Sequence, residues 1–142
     1  MNRTEKYLQT VKNNLHFLGC NEGWKSIQEI VSENLPETEI EKVADYPNDT
    51  EIYRYADRFC AQIIYRTDID DYIIETYIFT EFPSVKDVEI AKAINEIKYS
   101  FKLKRLNPTF TCWECGVKKH WLDIPGNFLE KITNLKENYC GC

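Results

Sequence analysis

Four of the six cysteines in this 142-residue chain stand near its end, as Cys112-x-x-Cys115 and Cys140-x-Cys142. Two close thiol pairs separated by a short element form the donor set of a tetrahedral metal site. Each pair supplies two soft ligands from one turn, and the chain between them folds back to close the cage. The chemistry this predicts is structural binding of Zn2+, because four thiolates fill the coordination sphere, whereas a catalytic zinc keeps one position for water. Gly116, directly after the first pair, suits a knuckle in which backbone N–H groups approach the sulfurs. His120, five residues beyond Cys115, could replace one of the terminal cysteines in a set of three cysteines and one histidine. Its plainer reading is a hairpin residue between Lys119 and Trp121.

Other thiol chemistry fits less well. A redox Cys-x-x-Cys opens a helix whose N-terminus lowers the thiol pKa; here GVKKHWLDIPG follows, with Pro125 and Gly126 too near for such a helix. The six cysteines are too sparse for a disulfide scaffold, and the opening MNRTEKYLQTVKNN lacks the apolar core of an export signal. Cys20 and Cys60 stand alone and read as buried thiols packing as small apolar groups. The expected compartment is therefore a reducing cytosol. No apolar run approaches the roughly 18 residues that span a bilayer.

Signatures of catalysis are missing from the sequence: no phosphate-binding glycine loop, no Gly-x-Ser-x-Gly, no His-Glu-x-x-His. With His16 and His120 the only histidines, acid–base chemistry would rest on carboxylates whose pairing the sequence does not give. The Cys-x-x-Cys has no upstream His-x-Glu, so the zinc deaminase pattern is absent too. The expectation is a protein that is not an enzyme.

The elements that must position the thiols follow from periodicity. Leu8, Val11, Leu15 and Leu18 predict an N-terminal helix closed by Gly19, and Trp24, Ile27, Val31 and Leu35 predict a second ended by Pro36, together a helical hairpin. The acidic segment Glu37–Thr50 has turn chemistry at Tyr46-Pro47-Asn48-Asp49 but fits helix or loop equally. Ile52–Phe59 alternates weakly, Cys60–Arg66 reads as a strand, and Tyr72–Thr80 is the strongest strand pattern in the chain. Thr67–Asp71 between the last two reads as a hairpin loop carrying Asp68, Asp70 and Asp71. It lacks the glycine and terminal glutamate of a calcium-binding EF-hand loop. Ser84 and Asp87 form a capping box that opens a helix through Ile90, Ile94, Ile97 and Phe101, with Asn107-Pro108 closing the unit. The C-terminal unit reads as strand Thr109–Thr111, knuckle, strand Lys119–Ile124, a Pro125-Gly126 turn and a helix with Phe128, Leu129, Ile132 and Leu135 on one face. The expected fold is α+β in one domain, residues 1–142. Its α+β body covers 1–108, an antiparallel sheet with a covering helix, and its zinc-stapled ββα unit covers 109–142.

Charge is segregated along the chain. The formal net charge is −5, yet between Glu29 and Glu89 acidic residues outnumber basic ones sixteen to five, and from Ile90 onward basic residues outnumber acidic ones nine to five. An acidic middle repels phosphates and steers cationic partners. One function class is therefore a protein-binding inhibitor whose face includes Asp68, Asp70, Asp71 and Glu75, with Glu37, Glu39, Glu41, Asp45 and Asp49 nearby in sequence. Such a face suits a basic partner such as a nuclease cleft. The other class is a zinc-containing nucleic-acid-binding accessory protein, with Lys102, Lys104, Arg105, Lys118 and Lys119 near Trp113 and Trp121. Both tryptophans read more plainly as core of the zinc unit.

The acidic 142-residue chain, its opening NRTEKYLQTVKNNLHFLGCNEGW and its closing TCWECG…HWLD…YCGC resemble the WapI-like immunity proteins. These are the partners of the wall-associated, contact-dependent toxins (WapA) of Gram-positive bacteria. The resemblance implies a cytosolic protein that binds the toxin's imported C-terminal domain, a tRNA-directed nuclease, and blocks it. It transfers no inhibitory residue, since such immunity proteins diverge at the face that meets the toxin.

Overall fold

The computed structural model describes residues 2–66, 71–97 and 108–142. These form α1 (Arg3–Leu15), β1 (Phe17–Gly23), α2 (Ile27–Asn34), β2 (Ile40–Tyr46), β3 (Thr50–Tyr55), β4 (Arg58–Arg66), β5 (Tyr72–Phe79), α3 (Val85–Ile97), β6 (Thr109–Thr111), β7 (Lys118–His120) and α4 (Phe128–Lys136), with a 3-10 turn at Trp121–Asp123 before α4. The class is α+β, as the sequence predicts. Two compact units are present, one of Lys12–Ala91 and one of Met1–Val11 with Lys92–Cys142.

The first unit holds a five-stranded antiparallel sheet in the order β1-β5-β4-β3-β2. Strand alternation divides its residues between two faces, and both faces have a core. On one, Ile27 and Val31 of α2 pack on Tyr53, Tyr55 and Cys60, with Ile40 against them. Ser26 caps α2 by accepting from the Glu29 amide, and the Gln62 side chain accepts from the Ile27 amide at 2.8 Å. On the other face Ile52, Ala61, Ile63, Tyr77 and Phe79 are buried, with the Phe17 ring 5.3 Å from that of Phe79.

The helical hairpin expected at the N-terminus is instead helix, strand, helix. α1 stops at Leu15 because His16 turns left-handed, φ 56°, and its carbonyl accepts from the Thr80 amide at 2.9 Å. That bond extends the pairing of Phe17 with Phe79 and draws the chain into the sheet. Leu18 and Gly19 therefore lie in an edge strand, and Trp24 is exposed ahead of α2. The weakly alternating Ile52–Phe59 is not one strand but a hairpin turning at Ala56-Asp57, where Ala56 takes φ 48°. The acidic segment before it is strand β2, whose turn into β3 places Asn48 and Asp49 at φ 65° and 54°.

The capping box is present in both directions: the Asp87 amide donates to Ser84 Oγ at 3.1 Å, and the Ser84 amide to Asp87 Oδ2 at 3.0 Å. Residues 67–70 with Asp68 and Asp70, expected as a hairpin loop, and residues 98–107 with Phe101, Lys102, Lys104, Arg105 and Asn107, expected to continue the helix and end the unit, lie outside the described residues. Among the described residues no helix is long and apolar enough to cross a membrane.

Candidate metal centre

The second unit is built around Trp121, which is fully buried. Its indole N–H donates to Thr4 Oγ1 at 2.9 Å, and the Tyr7 ring meets it edge-on at 5.8 Å. Phe128, at the start of α4, closes the cluster at 6.5 Å. The Lys131 ammonium donates to the Leu122 and Ile124 carbonyls, so α4 is tied to the turn that precedes it. Arg3 adds an exposed ion pair to Asp123 at 2.7 Å. The second strand of the hairpin is shorter than predicted, ending at His120 rather than Ile124, because Trp121–Asp123 coils into the 3-10 turn that buries the indole.

Strands β6 and β7 pair antiparallel, and the knuckle between them holds the first two thiols. The Cys112 amide donates to the Val117 carbonyl and the Gly116 amide to the Cys112 carbonyl, each at 2.9 Å. Gly116 sits at φ 74°, a left-handed position that glycine occupies without steric cost. No helix opens at the Cys112–Cys115 pair, which lies in a turn leading into β7, so the geometry of a redox Cys-x-x-Cys is lacking.

The second pair is delivered by the end of α4. Asn138, at φ 54°, terminates the helix: its amide donates to the Leu135 carbonyl at 3.1 Å and the Tyr139 amide to the Asn134 carbonyl at 2.8 Å. That pair of bonds is a Schellman cap with asparagine in the glycine position. The Asn138 carbonyl then accepts from the Trp113 amide at 3.0 Å, which fastens the helix end directly onto the knuckle. Gly141, between the last two cysteines, takes φ 80°, and a Cβ there would lie 2.8 Å from Pro125 Cγ.

These constraints bring Cys112, Cys115, Cys140 and Cys142 together, their sulfurs all within 4.8 Å of one another. A tetrahedron with metal–sulfur bonds of about 2.3 Å has edges of about 3.8 Å. The Cys115–Cys140 sulfur separation is 3.4 Å, so the cage matches the size of a four-thiolate site. No disulfide joins any of the six cysteines. Cys112 and Cys140 are buried, Cys115 and Cys142 exposed. The Cys140 amide points at Cys112 Sγ, 3.4 Å away, as a knuckle requires.

Electrostatics follow the same pattern. Burial pushes the Cys112 thiol up, but the backbone amides of Cys115, Cys140 and Glu114 outweigh it and bring the thiol down to about 6. Hydrogen bonding to Cys140, then burial, push Cys142 up to about 12. One thiolate is thus well solvated by amides, and a further negative charge beside it calls for a cation. A divalent ion held there would offset that repulsion and favour four thiolates at once.

His120 is not part of the cage. Its Nδ1 accepts from the Leu122 amide at 3.1 Å and caps the 3-10 turn, and the only group of potential metal ligands that gathers among the described residues is the four cysteines. Cys60 is a buried core thiol, as predicted, and Cys20 is half-buried. Of the two tryptophans read as core, only Trp121 is. Trp113 is 69 % exposed, tilted against the Tyr139 ring at 6.2 Å.

Of the acidic residues singled out, Asp71 is exposed beside Tyr72. Glu75 is half-buried in β5 between β1 and β4, and accepts the Tyr77 hydroxyl. Sequence reasoning missed Asn138 and Gly141. An asparagine just past a helical stripe and a glycine inside a Cys-x-Cys were the available signals. Comparison with protein-family models, with curated proteins and with solved structures found no match.

Proposed function

We propose that the four cysteines hold a structural Zn2+ ion and that the chain is a non-catalytic, cytosolic binding protein, acting as an immunity protein that neutralises a toxin by covering it. The observation that carries the metal half is the closed set of four sulfurs within 4.8 Å. All four positions are protein thiols, so the ion would clamp the end of α4 to the knuckle and leave no ligand site for substrate. The neutralising half rests on the resemblance to immunity proteins and on the acidic first unit. A nuclease holds polyanions in a cationic cleft, and an acidic protein surface binds such a cleft fast and tightly.

Two experiments test the two halves. Cobalt substitution should give the intense sulfur-to-metal charge-transfer bands of a tetrahedral thiolate site, lost in Cys115→Ser. Co-expression with a basic nuclease domain encoded beside the gene should rescue host growth, and absence of both rescue and complex would contradict the immunity reading.

A zinc-containing nucleic-acid-binding protein is a second reading, favoured by one observation. The exposed Trp113 indole sits on a knuckle whose following strand carries Lys118 and Lys119. That reading requires appreciable tRNA affinity falling log-linearly with salt; the immunity reading requires none.

A further inference from the structure

The sheet face that α2 packs on extends past the helix. Two residues along β4 from Gln62, and therefore on the same face, Ile64 is 42 % exposed. Ile64 pairs with Ile74 and Ile74 with Gly23, so this row crosses three strands, roughly 10 Å, and ends beside Trp24. Trp24 is 57 % exposed, and Tyr72, on the face of Ile74, is 44 % exposed. Gly23 adds no side chain, and the space where its Cβ would stand is open.

Two grooves flank the row. Ile64 walls one of about 710 Å3 together with Asp45, Asp49, Glu51 and one cation, Arg66, and Trp24 walls one of about 290 Å3 with Asn21, Ile30 and Lys25, whose ammonium is paired to Glu33 at 2.7 Å. Exposed aromatic and aliphatic side chains set in concave surface, edged by carboxylates, have the anatomy of a binding centre with a polar rim.

We infer that this face, centred on Trp24, Ile64 and Tyr72 and edged by Asp45, Asp49 and Glu51, receives a lysine- and arginine-rich protein. The inference rests on the neutralisation reading and gives it a contact surface. Charge selects the occupant. Over Lys12–Ala91 acidic side chains outnumber basic ones seventeen to seven, which repels a phosphate backbone. A second copy docking by two-fold symmetry would set these carboxylates against one another. Lys42 already bridges Asp45 and Glu51, at 2.9 and 3.1 Å, so Asp49, which shares its groove with Arg66, is the carboxylate offered to an incoming cation. Glu75 alternates onto the opposite face and is no part of this surface.

The test uses the full zinc-loaded chain, immobilised and challenged at low salt with soluble proteins of its source cells. A captured protein qualifies if, once purified, its isoelectric point exceeds about 9 and it forms a one-to-one complex. Against that protein Trp24→Ala should weaken binding at least tenfold. Asp49→Lys should slow association about tenfold at low salt, and Glu37→Lys, an exposed control in the same unit, should change neither.

Unchanged binding by both variants would overturn this face while leaving neutralisation standing. Capture of no basic protein would overturn the inference and, with failed rescue in co-expression, the reading beneath it. Self-association or tRNA binding abolished by Trp24→Ala would overturn the choice of occupant.

Discussion

Cys60 and the four clustered thiols are opposite uses of one side chain. Cys60 is fully buried in the sheet, and burial pushes its thiol up to about 12, partly countered by a backbone hydrogen bond from Tyr53. A group whose folded pKa is raised stabilises the fold fully below its unfolded pKa, and that contribution is lost as pH rises toward the folded value. The window here runs from about 9 to about 12. Urea unfolding should therefore show stability falling by about 2 kcal/mol between pH 9 and pH 10.5 from this thiol alone, and Cys60→Ala should flatten that slope. The same contrast appears in reactivity. Alkylation of metal-loaded native protein should reach only the half-buried Cys20. Chelation should add the four clustered cysteines, and Cys60 should react only on unfolding, as counted by mass spectrometry.

At the level of elements, the caps decide where helices stop and therefore where the thiols go. Ser84→Ala should cost about 1 kcal/mol, the usual loss for a hydroxyl cap, read as a shift in urea midpoint. Asn138→Gly should be tolerated, since glycine prefers the left-handed C′ position. Gly141→Ala should weaken metal binding sharply, because a methyl there meets Pro125 in a backbone conformation that alanine resists.

The same elements mark what the sequence makes legible. The Ser84–Asp87 box, strand β5, the α4 stripe and both thiol pairs could be read directly, because each rests on a local rule with one dominant solution. The β1 strand could not: Leu18 continues the helical stripe of Leu8, Val11 and Leu15, and only the tertiary bond from Thr80 to His16 breaks it. Strand β2 was hidden by its charges, since an exposed edge strand rich in Glu, Lys and Asp loses the apolar alternation that identifies strands. Trp113 and Trp121 look alike in sequence; what separates them is the 3-10 turn that carries one indole to Thr4 and leaves the other in solvent.

On the scale of the whole molecule, the chain comprises an acidic sheet unit and a unit whose last residues bring four thiols together. Chelation should loosen the second unit selectively. Hydrogen exchange should accelerate in Cys112–Val117 and Asn138–Cys142, while strands β3, β4 and β5 keep their protection. Uniform acceleration would contradict a clamp confined to the cage. Whether these four thiols grip one metal ion can be read by native mass spectrometry of protein purified without chelator. One zinc ion per chain is expected, absent from Cys112→Ser and retained in His120→Ala. A metal-free chain whose four clustered thiols react freely, with a thermal midpoint unmoved by added zinc, would contradict such a grip.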